Sequence, residues 1–523
     1  MILTILTFLP IAGALCLLFI PREEEGLHRG IALGTALATF FWSLRLLPDF
    51  DTGGFNHVVD SEWVPKLGIH YHMGVDGISL WLVMLTTFLM PIVLLSTYSS
   101  ITKKVREFMV AVLVLEAGMI GTFLALDMFL FYVFWEIMLI PMYFIIGIWG
   151  GDRRLYAAIK FVLYTMVGSL LMIVAILYLY VKHHELTQVW SFDYFALSKV
   201  ALGRHEELYC FLAFALAFCI KVPLFPFHTW LPDAHVEAPT AGSVLLAAVM
   251  LKFGTYGLLR YAIPLFPHAF VVCAPYLATL SVIGIIYGSL VAFAQTDIKK
   301  MIAYSSVAHL AFVVLGLAMW NAKSVDGAVY QMLAHGISTG GLFLCIGALY
   351  ERRHTRKLDE YGGIATIMPR FFAIFLIITL ASVGLPALSG FVGEFLILLG
   401  SFTASKSWAA AGLPLMVPHH TTLYAFLATT GVILSAVYML YLFQRVMFGP
   451  LSNARNRDLK DLSAREVVIF IPMVVMAFWL GIYPSTFLTG IDPAVQRTIA
   501  EFKAKQEASG DVAKIVHVTE TGR

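Results

Sequence analysis

The chain has 523 residues, of which 59% are hydrophobic and 13% are charged. A soluble domain carries roughly 25% charged residues, so this composition excludes a water-soluble globular protein. The 35 Lys and Arg nearly balance the 33 Asp and Glu, for a formal net charge of +2. This balance excludes a DNA- or RNA-binding protein, which needs an excess of positive charge.

Apolar runs of about 20 residues, the length of a membrane-crossing helix, recur along the whole sequence. They predict an all-α polytopic membrane protein with about fourteen transmembrane helices. We expect the first run to be a retained helix, because it lacks the basic leader and small-residue cleavage site of a signal peptide. The runs lie near 2–20, 30–47, 79–98, 109–126, 128–149, 160–181, 207–225, 239–260, 271–293, 300–320, 327–350, 368–402 (one long or broken element), 420–447 and 466–488.

Basic residues cluster in alternate loops, those that follow the odd-numbered runs. Because Lys and Arg accumulate on the cytoplasmic side, we expect the amino terminus outside, together with the polar tail that follows residue 488. The segment 182–206, with three basic residues of its own, is a weak exception. The clustered residues are Arg22 and Arg29; Lys103, Lys104 and Arg106; Arg153 and Arg154; Lys299 and Lys300; Arg352, Arg353, Arg356 and Lys357; and Arg455, Arg457, Lys460 and Arg465.

The five cysteines lie in or at the edge of apolar runs, without a CxxC pair or the Cys/His spacing of a zinc or iron–sulfur site. We therefore interpret them as small buried hydrophobic residues. They are Cys16, Cys210, Cys219, Cys273 and Cys345.

Three ionisable residues lie deep in apolar runs. Glu136 has no charged residue within eight positions on either side, Lys221 ends a long apolar stretch, and Lys252 lies at the centre of another. An ionisable side chain at the bilayer centre costs at least ~2.5–3.5 kcal/mol, so each needs a function or a partner. A lysine near the end of a helix can also extend its amine to the interface, an alternative that is stronger for Lys221 than for Lys252.

The second half of the chain adds His309, His335 and Glu394 as candidates. A lone buried histidine is more often a hydrogen-bonded core residue than a member of a relay. Glu116 and Asp127 are weaker candidates for a relay. None of these residues has the spacing of a metal site or of a nucleophile and its base, so a hydrolase or metalloenzyme has no support.

Helix breakers accompany two of the charges. Pro223 and Pro226 directly follow Lys221, and Gly384 and Pro386 precede Glu394. Such breaks are tolerated in a membrane only where protein or water satisfies the freed backbone groups. Two interrupted helices, each beside an ionisable group, fit the internal repeat of transporter folds.

Buried Lys, Glu and His side chains favour protons over an organic solute as the transported species. In our hypothesis Glu136 alternately pairs with Lys221 and releases it. The paired lysine holds its proton, and the released lysine passes the proton toward Lys252, the histidines and Glu394.

Several motifs resemble the antiporter-like subunits of proton-pumping NADH:quinone oxidoreductase, in particular the chain M (subunit 4) type. They are Phe134-Trp135-Glu136, the run from Lys221 to Thr240, Lys252-Phe253-Gly254, and Tyr304-Ser305-Ser306 ahead of His309. The resemblance implies two inverted five-helix repeats with broken seventh and twelfth helices. The implied division is 1–108 for the first three helices, 109–260 and 261–447 for the repeats, and 448–523 for the last helix and polar tail.

The resemblance also implies functional residues. It carries the essential glutamate over to Glu136, the first-repeat lysine to Lys221, the connecting lysine to Lys252 and the second-repeat residue to Glu394. Sibling chains typically have lysine at this last position, so Glu394 favours chain M. Relay histidines vary among these relatives, and so His309 and His335 are less firmly implied.

We expect no cofactor in this chain, since it has no GxGxxG fingerprint after a strand. The resemblance places FMN, iron–sulfur clusters and quinone in partner subunits, beside sibling antiporter-like chains in a membrane that is most simply the bacterial cytoplasmic (inner) membrane. Three alternatives remain at this point: a subunit of a multisubunit cation/proton antiporter or membrane-bound hydrogenase, a stand-alone solute transporter, and a membrane scaffold whose buried charges merely pair.

Overall fold

Helices make up almost all of the fold, which we describe from a computed structural model. The structure describes residues 1–48, 50–410 and 420–520, and their side chains except at 407–410, 420 and 508–520. Parts of the predicted second repeat (411–419) and polar tail (521–523) lie outside the described residues.

Twenty-one α-helices follow one another in the described part of the chain. In chain order they are α1 (Ile2–Leu18), α2 (Glu25–Ser43), α3 (Gly77–Ser100), α4 (Val105–Leu124), α5 (Met128–Ile137), α6 (Leu139–Trp149), α7 (Arg154–Thr187), α8 (Tyr194–Leu197), α9 (Arg204–Lys221), α10 (Trp230–Glu237), α11 (Thr240–Leu245), α12 (Lys252–Gly257), α13 (Ile263–Leu265), α14 (Pro267–Phe293), α15 (Ile298–Met319), α16 (Ala322–Arg353), α17 (Pro369–Val383), α18 (Ser389–Ala410), α19 (His420–Met447), α20 (Ala464–Ile482) and α21 (Ser485–Glu520).

The predicted class, an all-α polytopic membrane protein, is confirmed. Helices occupy every predicted apolar run, and ten helices in the described ranges are long and apolar enough to cross a membrane. The shorter apolar helices α1 and α17 fall below that length. The number fourteen and the inverted relation of the two repeats stay predictions.

A β-hairpin occupies the loop between α2 and α3, where no strand was predicted. Strand β1 (Asn56–Val64) pairs antiparallel with β2 (Ile69–Val75). The turn contains Gly68 at φ 61°, where a side-chain Cβ would lie 1.9 Å from the carbonyl oxygen of Trp190. Only glycine fits this close approach. A bridge between Met73 and Ala125 joins the hairpin to the α4–α5 link.

The polar tail that the sequence predicted after residue 488 is helical from its start, since α21 begins at Ser485. Its apolar side chains are buried at helical spacing, and this pattern is what folds it onto the bundle. The buried residues include Phe487, Ile491, Val495 and Phe502.

Asp76 ties α21 to the bundle. Its Oδ2 accepts hydrogen bonds from Arg260 Nη2 at 2.5 Å and from Arg497 Nη2 at 2.8 Å. Its Oδ1 accepts from the backbone N–H groups of Ile78 and Ser79 and so caps α3. Burial opposes ionisation of Asp76, but the two arginines outweigh it and hold the pKa of this carboxyl below its usual range.

The bundle has two ends, which we call the hairpin side and the basic side. The hairpin side comprises β1, β2, the α4–α5 link and α21. The basic side comprises the loops with the clustered Lys and Arg residues, where Arg356 Nη1 donates to the carbonyl of Val236 at 2.5 Å. Which side faces the cytoplasm stays a prediction from loop charge.

The cysteines are all free thiols in the described chain. Cys210, Cys219 and Cys345 are buried as predicted, and Cys273 is half-buried. The prediction is wrong for Cys16, which is exposed on α1. An apolar helix that faces lipid needs no burial of its small residues inside the protein, and this explains the difference.

Candidate functional site

The first group of buried charges lies where α5 and α9 end. Lys221 is the last residue of α9, its side chain is 0% exposed, and its Nζ has no hydrogen-bond partner among the described residues. The Nζ lies 5.2 Å from the ring centroid of Trp135 and 5.6 Å from that of Phe161. Two aromatic rings therefore lie within cation–π distance of this amine.

Glu136 interacts electrostatically with Lys221. The two side chains are not in hydrogen-bond contact, and Glu136 Oε1 is shielded from solvent without a partner in the described part of the protein. Glu136 is the penultimate residue of α5, and Met138, itself in right-handed helical geometry, links α5 to α6. In the hypothesis of alternate pairing, this geometry corresponds to the released state.

Proline and glycine break both predicted helices. After Lys221 the chain leaves helical geometry through Pro223 and Pro226 and resumes it in α10. Helix α17 ends before Gly384, at φ 84°, and α18 begins at Ser389. A Cβ on Gly384 would lie 3.5 Å from Glu394 Oε2, so the backbone break comes close to the carboxyl group. The predicted interruptions therefore lie beside the ionisable groups.

Lys252 begins the second group. It is 0% exposed, and its Nζ donates to the carbonyl oxygen of Ala247 at 2.5 Å. Ala247 belongs to the π-helical segment Leu246–Met250, which precedes α12. Such π segments recur at functional sites, where their irregular ladder frees backbone groups for other partners. Here the irregular backbone supplies an acceptor for a buried cation.

His335, His309 and Glu394 continue this group across α16, α15 and α18. Lys252 Nζ lies 2.7 Å from His335 Nδ1, and the rings of His335 and His309 have centroids 5.9 Å apart. His309 Nδ1 lies 2.7 Å from Glu394 Oε1, which also accepts a hydrogen bond from Gln331 Nε2 at 3.0 Å. All four residues are at least 97% buried. We call Lys252, His335, His309 and Glu394 the buried relay.

The chemistry of the buried relay follows from its donors and acceptors. An ammonium only donates and a carboxylate only accepts, whereas an imidazole does both. With Lys252 charged, His335 accepts at Nδ1; with Glu394 ionised, His309 donates from Nδ1. Each histidine can therefore take a proton at one nitrogen and release one from the other.

His235 was missed in the sequence. It lies on α10 with 0% exposure, and neither ring nitrogen has a hydrogen-bond partner among the described side chains and backbone. Its ring stacks on Phe343 at 4.7 Å, and it interacts electrostatically with Lys252 and Lys299. Lys299 Nζ in turn donates to the carbonyl of Ala238 at 2.5 Å, near the basic side. The sequence did contain a signal for His235: a histidine that follows the proline break after Lys221 is a candidate for a functional residue.

The two weaker candidates have different surroundings. Glu116 on α4 is fully buried, and both its carboxyl oxygens lack partners in the described ranges. No hydrogen bond joins Glu116 to the buried relay. Asp127 lies on the hairpin side, where its Oδ1 caps α5 through the N–H groups of Phe129 and Leu130, and its Oδ2 accepts from the N–H of His70. Its geometry is that of a structural cap.

We expect Asp127→Asn to change the pH dependence of stability. Burial raises the pKa of Asp127 from 3.8 to about 6, so the folded state binds this proton more tightly than the unfolded state. The stability of the wild-type protein relative to Asp127→Asn should therefore rise as pH falls from about 6 to about 4, by up to roughly 3 kcal/mol. Thermal unfolding of both purified proteins across this range measures the difference.

Asp152→Asn provides the control for this experiment, because Asp152 is an exposed carboxylate in the turn before α7, on the basic side. We expect no relative change for this variant over the same range. A constant difference between wild type and Asp127→Asn would show that Asp127 has an ordinary acidity.

Comparisons with known proteins lead to the same family as the motifs around Glu136, Lys221 and Lys252. Residues 125–416 match the family described as "NADH:quinone oxidoreductase/Mrp antiporter, TM", and residues 55–122 match "NADH-ubiquinone oxidoreductase chain 4, amino terminus". NADH-quinone oxidoreductase subunit M of Rhodobacter capsulatus is 46% identical over 516 residues, which cover 96% of this chain and 97% of that protein. NADH-ubiquinone oxidoreductase chain 4 of Marchantia polymorpha is 43% identical, with 95% of this chain and 97% of that protein covered.

A solved structure extends the likeness to the fold. A chain of respiratory complex I from Thermus thermophilus with bound NADH superposes with a TM-score of 0.85 and 32% identity, over 96% of this chain and all of that one. The resemblance inferred from the Glu136, Lys221 and Lys252 motifs is thereby confirmed. The chain belongs to the family of NADH-quinone oxidoreductase subunit M, or chain 4.

Proposed function

We propose that this chain is a proton-translocating membrane-arm subunit of NADH:quinone oxidoreductase. Its family and the coverage of its relatives over nearly the whole chain support this function. It acts as one subunit of the translocase, with sibling antiporter-like chains as neighbours. FMN, iron–sulfur clusters and quinone belong to partner subunits. Among the described residues, no group of three His, Cys, Asp or Glu side chains is placed to hold a metal ion.

The buried relay is the observation that carries the proposal. Charged side chains are energetically costly inside a membrane, yet this chain places the four ionisable residues of the buried relay in one row. A scaffold needs only neutral, self-satisfied pairs. A carrier of organic solutes needs a cavity, whereas here Lys252 contacts His335 directly and His309 contacts Glu394 directly. The array is suited to a species that passes along hydrogen bonds, which is the proton.

We propose the following route for that proton. It moves from the basic side past Lys299 and His235 to Lys252, which passes it to His335 Nδ1. His335 releases its Nε2 proton across the interval to His309, and a water molecule is of the right size to bridge it. His309 then transfers its Nδ1 proton to Glu394 Oε1. At each step one N–H bond breaks as another N–H or O–H bond forms. One passage leaves both histidines in the opposite tautomer, Lys252 without its proton and Glu394 protonated. The relay returns to its starting state when Lys252 regains a proton from the basic side, Glu394 releases one and both imidazoles return to their first tautomer.

Glu136 and Lys221 form the switch in this proposal. When Glu136 approaches Lys221, the ammonium gains a close counter-charge. When they separate, the amine loses that contact and keeps the aromatic rings of Trp135 and Phe161 beside it. This change alters the electric potential at Lys252 and couples the relay to events in neighbouring subunits. We assign the switch and Lys252 to the repeat 109–260, and His309, His335 and Glu394 to the repeat 261–447, with 1–108 and 448–523 flanking them.

The membrane and the orientation are part of the proposal. The protein is a multi-pass membrane protein, and its bacterial relatives support the bacterial cytoplasmic (inner) membrane as its location. The charge of the basic side supports an amino terminus outside. A cation/proton antiporter complex or a membrane-bound hydrogenase is less well supported, because the curated relatives reported above are NADH oxidoreductase subunits and Glu394 replaces the lysine that sibling chains carry.

Glu394→Gln tests the proposed function. The amide keeps the size of the carboxyl group and can still hydrogen-bond to His309, but it cannot carry the proton. We expect NADH-driven proton uptake in native membrane vesicles to fall about tenfold, with quinone reduction falling in parallel because the two are coupled. A pH-sensitive dye and NADH absorbance measure the two rates, and a native gel verifies assembly.

Glu351→Gln is the matched control, since Glu351 is a carboxylate at the basic end of α16 that accepts a hydrogen bond from Ser99 at 2.7 Å. We expect near wild-type rates for it. If NADH-driven proton uptake by the wild-type complex required Na⁺, the function would be cation/proton exchange and the proposal would be wrong. Full pumping in assembled Glu394→Gln would remove Glu394 from the route.

A further inference from the structure

A groove opens to the membrane on the basic side, between the ends of α1 and α6 and the start of α4. Its volume is about 390 Å³. Val110 and Val114 of α4 form one wall, and Phe144 and Ile148 of α6 form the other. Phe144 is 46% exposed, so this wall presents an apolar surface to whatever lies outside the chain.

The mouth of the groove is cationic. Arg22 and Arg106 line it, and Glu107 is the one acidic residue in its lining. Arg22 Nε lies 3.2 Å from a Glu107 oxygen, and Arg106 Nη2 lies 3.5 Å from the same oxygen. Two guanidinium groups thus share one carboxylate, which leaves a net positive charge. Lys103, exposed beside the mouth, adds to it.

Arg106 has an unused donor. Its side chain is only 17% exposed, and its Nε–H is shielded from solvent without a hydrogen-bond partner in the described part of the chain. Its Nη1 donates to the carbonyl of Ile20 at a long 3.4 Å. A buried guanidinium donor without an acceptor is costly, and phosphate oxygens are the acceptors that best match its planar geometry.

The groove runs from this charged mouth toward the middle of the membrane. Its inner end is formed by Ile140, 61% exposed, and Pro141, in the first turn of α6. The lining is therefore charged at one end and apolar along its length. A soluble anion needs only the first feature, and a hydrophobic helix of another protein needs only the second.

We propose that this groove binds a phospholipid with an anionic headgroup. The phosphate lies between Arg22 and Arg106, where it supplies the acceptor for Arg106 Nε–H, and one acyl chain lies between α4 and α6. The net positive charge at the mouth selects an anionic headgroup over a zwitterionic one. In the proposed orientation the basic side faces the cytoplasmic leaflet, in which anionic lipids attract juxtamembrane cations.

Photolabelling of the whole complex tests this site. The purified, delipidated complex is placed in phosphatidylcholine nanodiscs that contain a small fraction of photoactivatable phosphatidylglycerol, and the labelled peptides are identified by mass spectrometry. We expect labelling of the α4 and α6 walls. The double variant Arg22→Gln, Arg106→Gln should need about tenfold more phosphatidylglycerol for equal labelling, the effect of one lost hydrogen bond between charged groups.

Two further variants separate charge from shape. Ala111→Phe places a bulky ring in the groove lining and leaves both arginines, so it should abolish labelling of the walls. Lys103→Gln removes a positive charge beside the mouth but leaves the lining and both arginines, so it should weaken labelling far less than the double arginine variant does. The arginine variants still decide the matter if Ala111→Phe does not assemble.

Other results overturn the proposal. Equal labelling by photoactivatable phosphatidylcholine would show that the site does not select an anionic lipid. Unchanged labelling in the double arginine variant would show that the phosphate binds elsewhere. Cross-linking of a photoreactive residue at Ile140 to a neighbouring protein chain, in place of lipid, would assign the groove to a partner helix.

Discussion

Glu136→Gln is expected to stop proton uptake and quinone reduction in a complex that still assembles, with a loss of about a hundredfold in both rates. The amide preserves size and hydrogen bonding, so helix α5 and its cap at Asp127 remain intact. Only the negative charge is removed. Proton uptake by native membrane vesicles and NADH oxidation measure the two activities, and a native gel shows the assembled complex.

The size of this effect follows from the surroundings of Lys221. The amine is fully buried, has no hydrogen-bond partner in the described structure, and is faced by Trp135 and Phe161. A cation–π contact contributes about 2 kcal/mol when desolvated, far less than the cost of an isolated buried charge. Glu136 is the acidic group that acts on Lys221 electrostatically. Without it, the switch has no state in which the ammonium is stable.

Glu116→Gln is the matched control for this prediction. Glu116 is also a buried membrane carboxyl, on the adjacent helix α4, but neither of its oxygens has a partner among the described residues. The same change of carboxyl to amide should leave both rates near wild type. Wild-type rates of proton uptake in assembled Glu136→Gln would refute the switch. An equally large loss in Glu116→Gln would show that the loss of activity comes from replacing any buried carboxyl group, and not from losing the partner of Lys221.

Hydropathy alone was enough to locate the apolar helices of this protein, because the bilayer sets both their length and their composition. Ionisable residues within those runs located Lys221, Lys252 and Glu394 for a related reason: a charge in a membrane needs a function or a partner. The breaks were equally visible, since Pro223 and Gly384 change the backbone irrespective of their neighbours.

Contacts between distant segments were not visible in the sequence. The β-hairpin depends on Gly68 meeting the carbonyl of Trp190, more than one hundred positions away, and α21 depends on Asp76 pairing with Arg497. His235 was passed over because it follows a break outside the apolar core of a run. Its place near Lys252 and Lys299 is set by how α10, α12 and α15 pack, which periodicity does not specify.

Lys252→Met is expected to reduce proton uptake about a hundredfold, because the thioether fills the same volume but neither holds nor donates a proton. His335→Leu should cause a loss of similar size. Lys252 Nζ lies 2.7 Å from His335 Nδ1, and removing either partner leaves the other buried without its hydrogen bond. Dye-reported proton uptake and NADH oxidation in native vesicles measure these variants.

The double variant distinguishes a single path from two independent contributions. If a proton passes from Lys252 to His335, the path is already broken in each single variant, and the double variant should be no slower than the slower single one. Multiplied losses would place the residues on separate paths.

Thr255→Val is the control. Thr255 is buried one turn away on α12, and its hydroxyl donates to the backbone carbonyl of Lys252 at 3.0 Å. This hydroxyl has no hydrogen bond to a side chain of the buried relay. Near wild-type uptake in Thr255→Val, beside the loss in Lys252→Met, assigns the effect to the amine rather than to packing of the helix.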